Sequence, residues 1–266
     1  MKNTSVLITG GAGGLGSALC STLARESVGR IIIWDHDSKA VQIMQKKYQN
    51  SSFEFIIQTV DVADPRQIKA AFSQLGLAGI TIDLLINNAA MAHSSFFSKL
   101  HEQDILNCLA TNAAGPMLIS SILLPKMMRK GKGHIVNICS AGALIPLPGM
   151  SVYASSKAAL AAWSEALHRE LAIDASPVKV TTVYLGHLST PMFSHVKGAA
   201  WMLRLDPQKV SRSIIAAVNK DRCVVYMPLM IRFAHMAKVV LPKSWFDVFF
   251  RMLMLNSFMK TREKAR

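Results

Sequence analysis

Short apolar runs alternate with amphipathic stretches from the start of the chain. Val6–Thr9 predicts a short strand, followed by a glycine-rich turn and a helix over Leu15–Arg25. Ile31-Ile32-Ile33-Trp34 is unbroken apolar sequence, the pattern of a strand buried on both faces. Phe53–Val60 reads as a third strand. Asp64-Pro65 then starts a helix, because proline at the first helical position gives up an N–H that has no partner there anyway. Ile82–Ile86 and Ile135–Ile138 are further strands, with a helix over Asp104–Met128 between them. A helix of good formers runs over Val152–Leu171, then a strand over Val180–Tyr184. Asp206-Pro207 begins a helix to about Val218, and Cys223–Tyr226 is a last short strand. The alternation predicts an α/β chain: one doubly wound parallel sheet with helices on both faces.

Past Met227 the pattern changes. Leu229–Leu241 is apolar except for Arg232, His235 and Lys238, which helical spacing gathers into a basic stripe. Trp245, Phe246, Phe249, Phe250, Met252, Leu253, Met254, Leu255 and Phe258 crowd the next segment. No apolar stretch there reaches the ~18 residues of a membrane-spanning helix, so amphipathic helices are expected. The reading divides the chain at residue 226, with a dinucleotide-binding and catalytic domain over 1–226 and a C-terminal amphipathic extension over 227–266.

A length of 266 residues suits one such domain. The chain opens almost directly on a strand, with no charged-then-apolar leader, so secretion is not expected. Four scattered cysteines (Cys20, Cys108, Cys139, Cys223) form no paired spacing. They imply neither a metal site nor a disulfide framework, and they fit a reducing, cytoplasmic compartment. The net charge of +14 is uneven: from Arg204 onward thirteen Lys/Arg face four Asp/Glu. A basic tail of this kind suits the anionic cytosolic face of a membrane. No nucleic-acid-binding motif accompanies it, so nucleic acid is not expected as a partner.

Two clusters carry chemistry. Thr9-Gly10-Gly11-Ala12-Gly13-Gly14-Leu15-Gly16 lies between a strand and its helix, where helix N–H groups can meet a pyrophosphate. Asp35 ends the second strand, about twenty residues on, where a carboxylate accepts hydrogen bonds from both ribose hydroxyls. The glycine turn holds no Arg or Lys, and His36 follows Asp35, so NAD is expected rather than NADP. Asp37 either shares this role or starts the next helix. The second cluster is Tyr153-Ala154-Ser155-Ser156-Lys157, whose phenol and ammonium share a helical face. A nearby positive charge favours the phenolate, which makes Tyr153 a candidate acid/base.

Together these pieces resemble the short-chain dehydrogenase/reductase family over roughly Ser5 to Met192, in a Rossmann-type fold. Thr9-Gly10-x-x-x-Gly14-Leu15-Gly16 resembles its cofactor turn, and Asp61-Val62 stands where the family contacts adenine. Asn87-Asn88-Ala89-Ala90 is similar to its Asn-Asn-Ala-Gly motif, which brings Asn88 and Ala89 to the cofactor. Asn112 in Thr111-Asn112-Ala113, Ser140, Tyr153 and Lys157 match the catalytic tetrad. The resemblance implies that Tyr153 exchanges the hydroxyl proton while hydride moves to or from nicotinamide. Lys157 would hold ribose hydroxyls and favour phenolate, Ser140 would orient the substrate oxygen, and Asn112 would hold a water. Gly186 and Thr190 fit the family's cofactor loop after the sixth strand, although Leu185 replaces its proline. His187, His93 and His195 are either loop residues or contacts to ligand.

The resemblance also places a substrate lid at about 187–205, which here holds Leu188, Met192, Phe193, Val196, Trp201, Met202 and Leu203. A greasy pocket follows, and with the basic tail it is similar to the retinol and hydroxysteroid dehydrogenase branch, whose members often work on membranes or lipid droplets. The expected activity is NAD-dependent oxidation of a lipophilic secondary alcohol, retinoid or steroid, or reduction of the corresponding carbonyl. The alternatives are a 3-oxoacyl-type ketone reductase using NADPH and a non-catalytic nucleotide-sensing scaffold. Family members commonly dimerise through the helices of Asp104 and Tyr153, so a homodimer is expected; the C-terminal segment either makes peripheral membrane or lipid-droplet contact or packs on the domain, its pocket or a partner subunit.

Overall fold

The computed structural model describes residues 3–189, 204–246 and 248. Seven strands hydrogen-bond side by side: β1 (Ser5–Thr9), β2 (Arg30–Asp35), β3 (Glu54–Thr59), β4 (Leu84–Asn87), β5 (Gly133–Ser140), β6 (Val178–Leu185) and β7 (Val224–Met227). They pair in parallel in the order β3-β2-β1-β4-β5-β6-β7. Alternate residues of each strand serve opposite cores, as the two-residue period requires. Val6 and Ile8 of β1 join Ile31 and Ile33 of β2 on one side. There they meet α1 (Gly14–Leu23), α2 (Ser38–Tyr48) and α7 (Pro207–Val218). Leu7, Ile32 and Trp34 face the other core, against α3 (Pro65–Leu77), α5 (Gly115–Lys130) and α6 (Ser151–Ile173). A strand with large aliphatics on both faces needs two helical layers, which explains the unbroken apolar runs.

Helix starts follow local chemistry. The Asp37 carboxylate accepts from the N–H groups of Lys39 and Ala40 and caps α2. Asp64 and Asp206 cap α3 and α7 in the same way, each followed by proline.

The expected single helix over Asp104–Met128 is in fact three pieces. After α4 (Glu102–Leu109) comes a wide π-type turn over Ala110–Ala114, and only then α5. A β-carbon on Gly115 would lie 2.6 Å from the Val62 carbonyl oxygen, so the helix seats directly on the segment after β3. The run Glu102–Lys130 is the one described helix long and apolar enough to cross a bilayer. Its packing in the second core accounts for much of that apolarity, with Ile119, Leu123 and Met127 buried there.

A last described helix, α8 (Met230–Val240), follows β7. In its basic stripe Arg232 and Lys238 are exposed and the His235 ring is half-buried, and Lys238 donates to the Leu144 carbonyl at 2.6 Å.

His134, at the start of β5, is buried in this frame. Thr181 Oγ1 donates to the Arg222 carbonyl at 2.7 Å, so His134 Nε2, 2.7 Å from that hydroxyl, must carry its proton. Burial, reinforced by Lys179 and opposed by Asp221, pulls the imidazole down to about 4. An unfolded histidine takes up its proton near pH ~6.5. Between those values the unfolded chain binds a proton that the folded chain refuses, so stability falls as pH drops through the window. His134→Gln keeps a donor for Thr181 and cannot titrate. Urea midpoints at pH 7 and 4.5 should show a smaller acid loss in the variant than in the unmodified chain. Equal losses would show that His134 is not the group responsible.

Candidate active site

The strand order reverses between β1 and β4, which opens a crevice beyond their carboxyl ends. A cavity of about 440 Å³ fills it, reaching from Asp35 past Gly13 and Asn88 to Ser140 and Tyr153.

At one end lies the glycine turn. Gly10 has φ +61°, and a β-carbon there would come within 2.8 Å of Ala89 Cα. A β-carbon on Gly16 would sit 2.2 Å from the Gly10 carbonyl oxygen, so α1 approaches the turn only because glycine stands there. Gly14 and Leu15 line the same cavity. No side chain caps α1 and its first turn carries no acid, so its leading N–H groups are open to an anion. Thr9 and Asn88 latch the crevice walls. Thr9 Oγ1 accepts from the N–H groups of Asn88 and Ala89, each at 3.1 Å. Asn88 Nδ2 donates to the Thr9 and Gly10 carbonyls, each at 2.9 Å.

Asp35 is buried at the end of β2. Its Oδ2 accepts from Ala12 N at 2.9 Å and its Oδ1 from Asp37 N at 3.1 Å, so the carboxylate is fixed against the turn. Asp37 itself starts the next helix. Asp61 Oδ1 accepts from Ala63 N at 2.9 Å, and Asp61 and Val62 line the cavity beyond Asp35.

At the other end, Ser140 closes β5 and Tyr153 and Lys157 rise from α6. The Ser140 and Tyr153 hydroxyls hydrogen-bond to each other. Burial nevertheless pushes the phenol up to about 12, the serine bond only partly opposing it. The Lys157 ammonium donates to the Ile138 carbonyl at 2.8 Å. Burial likewise draws Lys157 below its usual value. The phenol therefore holds its proton at neutral pH, as an acid. Cys139 lines the cavity too, but burial raises its thiol to about 12, and Cys108 is also pushed up. Burial thus disfavours the thiolate form of both.

Asn112 lies in the π-type turn, fully buried. Its amide grips one backbone unit from both sides: Oδ1 accepts from Met91 N at 2.7 Å and Nδ2 donates to Met91 O at 2.8 Å. Nδ2 also donates to Ser156 Oγ at 2.9 Å, so the loop after Asn88-Ala89-Ala90 is tied to α6. Gly186 lines the cavity and donates to Met227 O at 2.7 Å. Leu185, in the place of the expected proline, remains in the ladder opposite Met227 and Ser140. Thr190, His195 and residues 190–203 of the expected lid lie outside the described residues. The lid's two ends do meet: Leu205 N donates to His187 O at 2.8 Å and Ser189 N to Leu205 O at 3.0 Å. Burial and Arg204 lower the His187 pKa. His93 stands 3.5 Å from Asp104 at the surface.

Sequence reasoning missed a buried polar chain under the site. Asn87 Nδ2 donates to Asn137 Oδ1 at 2.8 Å, and Asn137 Nδ2 donates to Ser164 Oγ at 2.8 Å. Ser164 in turn meets Thr182 Oγ1 at 2.7 Å. The available signal was polar residues interrupting otherwise apolar strands, with Ser164 seven positions after Lys157 on the same helical face.

Comparison with known proteins agrees with this fold. A family model described as short chain dehydrogenase matches residues 4–200. Short-chain dehydrogenase/reductase 3 of Homo sapiens is 28% identical over 250 residues, covering 92% of this chain and 81% of that protein. An 11-beta-hydroxysteroid dehydrogenase-like 2 protein of Arabidopsis thaliana is 28% identical over 243 residues, covering 90% and 78%. Among solved structures, a short-chain dehydrogenase of Sphingobium yanoikuyae in complex with NADPH superposes with TM-score 0.78 at 22% identity, covering 89% and 93%. One from Burkholderia phymatum in complex with NAD gives 0.77 at 21%, covering 88% and 94%.

Asn112→Ala should leave the Met91 N–H and carbonyl and the Ser156 hydroxyl short of partners. Each buried group left unsatisfied costs about 1–3 kcal/mol. Urea unfolding should show a loss of that order, and turnover should fall with it. A variant as stable as the unmodified chain would show that the clamp on Met91 does not hold the loop.

Proposed function

The chain belongs to the short-chain dehydrogenase family, and we propose that it transfers a hydride between NAD(H) and a lipophilic secondary alcohol or its carbonyl, with Tyr153 as acid/base. The observation that carries this reading is the hydrogen-bonded Ser140–Tyr153 pair at one end of a cavity whose other end is Asp35. The residues present fit a dinucleotide. The cradle at Gly10 and Gly16 excludes any β-carbon, the uncapped α1 faces it, and Asp35 stands at the far end.

A bound nicotinamide ring supplies or accepts the hydride. The chain's own residues handle the proton. Tyr153, kept in its acid form by burial, donates to the substrate oxygen as a carbonyl becomes a hydroxyl. Ser140 hydrogen-bonds the same oxygen and steadies its developing charge. In the oxidative direction Tyr153 takes the proton back, and Lys157 is the cation of this chain placed to favour the phenolate. Asn112 acts as a positioning residue through Met91 and Ser156. Asp61, Val62, Ala89, Gly186 and Thr190 complete the expected cofactor set.

Asp35 supports NAD over NADP. Its carboxylate is held rigidly, and a 2′-phosphate beside it would meet like charge with no Arg or Lys in Thr9–Gly16 to offset it. The outer side of Tyr153 packs in an apolar cluster with Met150, Leu147, Val152 and Ala92, which supports a greasy substrate such as a retinoid or steroid. Exposed Leu106, Leu109, Leu118 and Met128 along Glu102–Lys130 support a homodimer through that face.

Tyr153→Phe should keep NADH binding within about threefold while removing turnover, since the ring still packs and the transferable proton is gone. A fluorescence titration with NADH beside assays on retinol, hydroxysteroids and long-chain alcohols tests this. Turnover close to that of the unmodified chain would remove Tyr153 from the chemistry, and no turnover on any alcohol or carbonyl would favour a non-catalytic scaffold. Asp35→Ser with His36→Arg should shift catalytic efficiency toward NADP. An unmodified chain that already prefers NADPH would favour the 3-oxoacyl-type ketone reductase instead.

A further inference from the structure

Amphipathic helices on a folded domain ordinarily turn their apolar side inward. In α8 the described residues do the reverse. Phe233, Met236, Val239 and Val240 point outward, at 61%, 52%, 71% and 78% exposure, and Trp245 just beyond is 70% exposed. The inner side is nonetheless firmly attached. Ile231 is buried with Cys139, Leu160 and Tyr184. Pro228, just before α8, lies so close to Gly186 that a β-carbon there would be 3.0 Å from its ring. Lys238 donates to the carbonyl of Leu144, in the segment that follows Ser140. The outward apolar face is therefore fixed beside the substrate end of the cavity.

The charge around this face selects its occupant. Arg232 and Lys243 are exposed at its borders, and from Arg222 to Phe246 the chain has no Asp or Glu. Two copies meeting through this face would bring these like charges together with no acid to answer them, which disfavours self-association. Aromatic and aliphatic side chains rimmed by arginine and lysine suit a lipid surface bearing anionic headgroups.

We infer that the outward face of α8 (Phe233, Met236, Val239, Val240, with Trp245) docks on an anionic lipid surface and sets the substrate end of the cavity against it. A lipophilic alcohol then reaches Tyr153 from the lipid rather than through bulk water. Only this delivery route rests on the proposed activity; the docking does not.

Cosedimentation of the full chain with phosphatidylcholine vesicles, with and without phosphatidylserine, tests the docking. The full chain should bind the phosphatidylserine vesicles, less strongly as salt rises. Phe233→Gln with Val240→Gln should weaken binding at least tenfold. Arg232→Gln with Lys243→Gln should weaken it by roughly fivefold per residue and flatten the salt dependence. Melting temperature and turnover of a short water-soluble alcohol should be unchanged in both, so a failure of the catalytic reading would appear in the turnover assay and leave the binding result standing. Absence of binding by the full chain, or equal binding by the Phe233/Val240 variant, overturns the proposal. So does a Phe233/Val240 variant that binds vesicles normally but melts lower or dissociates a dimer on gel filtration. In those cases the face serves packing within the chain or against a second copy.

Discussion

The structure turns on one buried cation. Lys157 is 2% exposed, and an ammonium taken out of water must find compensation within the protein. It finds the Ile138 carbonyl, which commits α6 to a fixed height along β5. Seven residues on, Ser164 repeats the attachment through Asn137 and Thr182. Two polar stitches between the same helix and sheet leave little freedom in where Tyr153 sits relative to Ser140. The apolar layers hold α6 against the sheet, but they would tolerate small slides. The polar stitches set its register, because a slide would strand buried donors.

The opposite wall is held by side chains bonded to backbone groups. Four hydrogen bonds join Thr9 and Gly10 to Asn88 and Ala89 across the β1–β4 crevice, and Asp35 anchors the turn from β2. The crevice is therefore braced on both sides without any side chain having to occupy it. Each glycine that matters, Gly10 and Gly16, is where a backbone carbonyl or Cα approaches too closely for a β-carbon.

The sequence makes the framework plain wherever a local rule is decisive. Apolar runs mark β1, β2, β4 and β5, unbroken in β2, and Asp-Pro pairs mark the starts of α3 and α7. The glycine turn, Asn112, Ser140, Tyr153 and Lys157 are legible because residue type and spacing coincide. What stays hidden depends on distant partners. The π-type turn at Ala110–Ala114 occupies ordinary helix-forming sequence, and Asn112 within it grips Met91, twenty-one positions away. The upward pKa of Tyr153 arises from burial, so no spacing of charges could give its direction. The side of α8 that faces solvent likewise depends on where Ile231 and Lys238 attach.

The short parallel bridge between Leu188 and Leu205 has a separate consequence. It joins the two ends of the connection between β6 and α7, three residues beyond the end of β6. Closing a loop at a fixed stem costs only about 0.6 kcal/mol more for each doubling of its length. Closure entropy alone therefore puts little constraint on how long that connection is. The length of this connection can therefore vary while the sheet and α6 beneath it keep their register.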